Sequence, residues 1–163
     1  MHNLKLLTVG LLIMFFPKNI TESTKATDTM AQPPTTITFQ VTEIDVERGG
    51  NLMVFIFAKS GFPKNHKKAL HQQTRTVDAP TMNFQFDLTE DEIAIKVLHD
   101  EDMDGKVTKN WTGVWPKEGL GFSNKQKISL AGPPGFQRSK IQKDQLSQIP
   151  PIAIRYPQKK KTK

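Results

Sequence analysis

The chain has 163 residues, 23 basic against 16 acidic side chains, and no cysteine. That length fits one domain, large enough to hold a core without a disulfide or metal staple. The missing thiol excludes a disulfide scaffold, a thiolate metal site, a cysteine nucleophile and a lipidated N-terminal cysteine.

The formal charge of +7 points first to nucleic acid or an anionic surface as partner. Its distribution says otherwise. Residues 1–26 carry +2, and residues 157–163 carry +4 through Lys159, Lys160, Lys161 and Lys163. The body, residues 27–156, carries only +1. Nucleic acid is therefore not the expected partner.

Lys5 precedes an uncharged, mostly apolar run from Leu6 to Phe16, ended by Pro17. Such a run is too short to span a membrane, which takes ~20 residues, and has the length of a signal-peptide core. Residues 1–26 are expected to be a signal peptide. Small residues stand at −3 and −1 before cleavage after Ala26, and again before cleavage after Ala31. No later run reaches spanning length, so the expected compartment is extracytoplasmic, periplasmic or secreted. Residues 27–35, Thr-rich and ending beside Pro33-Pro34, read as a linker.

The body alternates at period two. Ile37, Phe39 and Val41 share one face, with Thr38 and Gln40 between them. Gly49-Gly50 marks a tight turn. Residues 52–58 are almost wholly apolar, as a strand buried on both faces would be. Residues 64–71 offer at most one or two helical turns. Strands are expected at 73–77, at 82–88, at 93–99 and at 152–156, with a short one at 127–130. No segment shows sustained helical periodicity. The expected fold is all-β: one antiparallel sandwich or barrel of six to eight short strands over residues 36–156, with one long ordered loop at 100–136 and a basic tail at 157–163.

That loop opens with the densest charge of the chain. Asp100, Asp102 and Asp104 alternate, Gly105 follows, and Val107 stands eighth. The pattern matches the first two thirds of a calcium loop, in which alternate residues point at one centre and the Lys106 carbonyl adds an oxygen. The bidentate glutamate of a calcium-binding helix–loop–helix is absent, because the twelfth place holds Trp111. Thr108, Asn110 and Glu118 are the candidates to complete the shell, and the sequence does not choose among them. An acidic turn closed by its own Asp-to-backbone hydrogen bonds is the competing reading.

The run from His99 through Lys106, the stretch Pro116–Asn124 and the stretch Gly132–Phe136 together resemble a bacterial secreted family known as domain of unknown function 2141. Gly50–Phe57, Gly61-Phe62-Pro63 and the strand ending in Arg155-Tyr156 extend the resemblance over about residues 36–156. It implies a small extracytoplasmic β-sandwich, transthyretin-like or immunoglobulin-like, and no particular activity. Asp102 stands where asparagine is common in that family, and Thr108 where an aspartate often follows.

Trp111 and Trp115 are candidates for a ligand-facing surface, with packing of the loop as the plainer role. Phe122 and Phe136 are expected to plug the loop's own core. His99 ends a strand beside the acidic run and is expected to be a hydrogen-bonded structural group. No nucleophile elbow, phosphate loop, dinucleotide motif or zinc-helix motif appears. The expected role is therefore binding or structural, with one possible calcium ion and a carbohydrate, protein or envelope component as partner. The alternatives are a hydrolase using loop carboxylates with His99, and a polyanion or envelope binder through the basic tail.

Overall fold

The computed structural model describes residues 33–110 and 115–157. The expected signal peptide, most of the linker, Trp111 and tail residues 158–163 lie outside them. The described residues are mostly strand: β1 (Thr35–Thr42), β2 (Asn51–Phe57), β3 (His71–Thr76), β4 (Met82–Leu88), β5 (Glu92–Asp100), β6 (Gly119–Phe122), β7 (Ile141–Gln142) and β8 (Ile152–Ala153). Helix is confined to one α-turn, α1 (Phe136–Ser139), and short 3-10 turns such as His66–Lys68 and Lys143–Gln148. No helix among the described residues is long and apolar enough to cross a membrane.

The strands form two sheets, ordered β4–β1–β8 and β3–β2–β5–β6, with β7 paired to β5. β1 and β4 bury alternate residues and leave threonines, Gln85 and Asp87 outward, as a sheet with one wet face requires. Ile37, Phe39, Phe84 and Phe86 from this sheet share one core with Leu52, Val54, Ile56, Ile95 and Val97 from the other. The two sheets thus face each other. The larger sheet is buried on its second face too: Met53, Phe55, Phe57, Leu98, Leu120 and Phe122 form a separate core there. Phe62, Ala69, Val107 and Ile128, all from connecting segments, pack over it. The continuous apolar run of β2 follows from this double burial.

Three expectations change. The sandwich is not wholly antiparallel, because β1 and β8 pair in parallel. The segment before β8 starts on β5 of the other sheet and crosses over through the Lys143–Gln148 turn, so no hairpin sets the direction. The long loop is interrupted by β6, which pairs with β5. Residues 127–130 form no strand; Ser129 and Gly132 instead close a tight turn with reciprocal backbone hydrogen bonds of 3.0 and 2.9 Å.

Candidate functional site

β5 ends at Asp100, and the pairing His99↔Gly119 sets β6 beside it. The residue just before β6 is Glu118. This register brings Glu118 to the mouth of the acidic loop, where Asp100, Asp102 and Glu118 each place a carboxylate oxygen within 4.8 Å of the others. Asp100 and Glu118 are buried, at 2% and 3% exposure, and Asp102 is exposed.

The loop is held by its own acids. Asp100 accepts the N–H groups of Asp104 at 3.2 Å and Gly105 at 2.9 Å. Asp102 accepts the Asp104 N–H at 3.3 Å and the Thr108 hydroxyl at 2.9 Å. Glu118 accepts the N–H of Glu101 at 3.1 Å and of Thr108 at 2.8 Å. Each of these six oxygens accepts one of these donors, and a carboxylate oxygen offers two lone pairs; the Asp100 and Asp102 side chains also meet each other. The set fits a hard dication bound through oxygen, and equally an acidic turn closed by backbone donors. Of the residues singled out by spacing, Asp100 and Asp102 converge with Glu118. Asp104 is not among these three acids; its carboxylate accepts the Lys106 N–H at 2.7 Å.

Burial pushes the Glu118 carboxyl up to about 7, and the charges of Asp102 and Asp100 add to it against the two N–H donors. Burial likewise raises Asp100. The Thr108 hydroxyl, chiefly, holds Asp102 below the ordinary carboxylate range.

His99 is fully buried on the other side of β5's end. Its Nε2 lies 2.6 Å from the Gly49 carbonyl, which only accepts, so Nε2 carries the proton. Nδ1 then accepts the Tyr156 hydroxyl at 2.6 Å, and that oxygen accepts the Asp45 N–H at 2.9 Å. Both ring nitrogens are thus engaged in tying the Gly49 turn to the segment after β8. Arg48 lies 4.4 Å from the Tyr156 ring centre and pairs with Asp45 and Glu101 at 2.8 Å each.

Trp115 is 39% exposed and lines a cleft of about 820 Å³ together with Asp104, Lys106 and Lys96. Sequence reasoning passed over Lys96 altogether. It alternates with the apolar residues of β5 and so reads as solvent-facing, yet it is buried at 4% exposure. The one signal for it was the apolar run of β2, which already implied a sheet covered on both faces.

The model of a family described as an uncharacterized protein conserved in bacteria, DUF2141, matches residues 39–149. No curated protein and no solved structure matches the chain.

Proposed function

The chain belongs to the family DUF2141; for it we propose the role of a non-catalytic binding protein of the periplasm or cell exterior. It is a sandwich of transthyretin-like or immunoglobulin-like kind. Its acidic loop holds one calcium ion through Asp100, Asp102 and Glu118, and presents the flanking segments to a carbohydrate, protein or envelope component. The observation that carries the cation is the burial of Asp100 and Glu118 within 4.8 Å of Asp102. Like charges held together away from water repel strongly, and a dication with oxygen ligands at 2.3–2.6 Å relieves them. The full engagement of both His99 nitrogens speaks for a structural histidine rather than a general base.

Extracellular calcium modules bind with Kd of about 10⁻⁴–10⁻³ M. At ~10 mM calcium the folded state then gains about 1.4–2.7 kcal/mol, a rise in Tm of roughly 3–10 °C. A thermal melt in calcium, in magnesium and in chelator measures it, with Asp100→Asn/Asp102→Asn as the control that should lose the shift. An equal shift in magnesium overturns the calcium assignment, and no shift in any divalent cation overturns the site.

Export rests on the leader alone. Protein recovered from a bacterial periplasm or medium is expected to begin at Thr27 or Gln32. N-terminal sequencing that finds only cytoplasmic chain starting at Met1 overturns it.

A further inference from the structure

Lys96 occupies the middle of the outer face of the larger sheet. Its direct cross-strand partners are Phe55 on β2 and Phe122 on β6, so the three side chains form one row on that face. Both rings are buried, and Lys96 is the one lysine among the described residues that is. An ammonium in such a place normally has a carboxylate beside it. Here its Nζ donates to two neutral acceptors, the Pro63 carbonyl at 3.1 Å and His66 Nε2 at 2.6 Å. No carboxylate lies in ion-pair range of it among the described residues.

The cleft of about 820 Å³ opens over this row, between the turn at 63–67, the loop segment 104–109 and the turn at 128–133. Four more lysines stand around it, Lys64, Lys67, Lys106 and Lys109, against a single acid, Asp104. The rest of its described lining is largely apolar, including Leu120, Phe122, Ile128 and Leu130. Leu130 sits at the tip of the 129–132 turn, 93% exposed, as an apolar group left without packing. Small-molecule sites have this size and this mixture of apolar wall and few polar groups.

We propose that the cleft is a binding site for a small amphipathic anion, an apolar body with a carboxylate or phosphate head, and that Lys96 anchors the head. A cation is repelled by five ammonium groups. A neutral apolar molecule leaves Lys96 with no counter-charge in ion-pair range among the described residues, Glu118 acting on it only from farther off. An anion with an apolar body satisfies both features and covers Leu130. Burial, against the more distant charge of Glu118, lowers the Lys96 ammonium to about 8, so it still carries its charge at neutral pH. The inference rests on the binding role proposed above but not on the cation, because the cleft floor is strand rather than acidic loop.

The test uses the anionic dye 1-anilinonaphthalene-8-sulfonate as probe, displaced in turn by decanoate, decyl phosphate and 1-decanol. One dye per chain is expected to bind, and at least one of the two anions should displace it at least tenfold more effectively than decanol does. Decanoate or decyl phosphate acting alone identifies the head group, and either supports the site. Lys96→Met should weaken displacement by the anion at least tenfold while decanol is unaffected. Leu130→Asp, at an exposed position where folding is not at stake, should weaken both and serves if Lys96→Met does not fold. Decanol matching the anions, or Lys96→Met binding them as the unaltered protein does, overturns the proposal. Repeating the titration in chelator keeps the two readings apart: anion binding is expected to be the same in calcium and in chelator, and if the melts then show no calcium shift, the cation alone is overturned.

Discussion

Replacing Gly50 by alanine is expected to destabilise the fold by about 2–5 kcal/mol and to weaken cation binding with it. Gly50 has φ +76°, where an L-residue costs about 1–2 kcal/mol. A Cβ there would lie 2.3 Å from the Asp100 carbonyl oxygen and 2.8 Å from the Glu101 Cα. Both obstacles are backbone, so no side chain can swing aside, and overpacking of this kind adds about 1–3 kcal/mol. The strain falls on the two residues that begin the acidic loop. Gly49→Ala supplies a variant with backbone strain and no contact: at φ +63° and ψ −149° it occupies a glycine conformation, and nothing lies within 4 Å of its Cβ position. Urea denaturation of the two alanine variants isolates the contact term. A Gly50→Ala loss no larger than the backbone cost of about 1–2 kcal/mol would show that the close approach of the Gly50 turn to Asp100 does not matter.

The same crossing of segments explains what could be read in advance. β1 and β4 were legible because one face meets water, so polar and apolar residues alternate. β2 was legible because both of its faces are buried. β5 was read with half its surroundings: Ile93, Ile95 and Val97 mark the inner core, but Lys96 between Ala94 and Leu98 disguises an equally buried outer face. β6 was illegible because Gly119 and Gly121 are turn residues by composition. They stand in a strand because the chain end packs directly on it; a Cβ on Gly119 would lie 2.4 Å from Cε1 of Tyr156. Missing β6 also concealed the site. The spacing of Asp100 and Asp102 was visible, but the convergence of Glu118 with them depends on the register that sets Gly119 opposite His99. The cleft was further from reach still, since its walls come from three segments distant in sequence and its charge from a lysine that strand periodicity assigns to solvent.

If Glu118 is a ligand, calcium affinity is expected to fall about tenfold between pH 8 and pH 6, because the cation must displace a proton from a carboxyl whose pKa burial has raised to about 7. At pH 8 that carboxyl is mostly ionised, and at pH 6 about nine in ten copies are protonated. Stability measured without calcium is a poorer reporter. Below pH 7 the folded chain holds a proton on Glu118 that the unfolded chain releases above its ordinary 4.5, so this group alone makes the fold less stable as pH rises from about 4.5 to about 7. His66 works the other way. Burial first, then the charge of Lys96, hold it at about 4, so the fold refuses a proton that the unfolded chain accepts below 6.5. Its contribution makes the fold more stable as pH rises from about 4 to 6.5. The two slopes oppose each other over most of their range. Calcium affinity avoids this cancellation, because His66 is not among the three converging acids. Calorimetric titration at pH 6, 7 and 8 reads both the affinity and the proton released on binding. An affinity that stays flat across that range removes Glu118 from the ligand set, whatever Asp100 and Asp102 do.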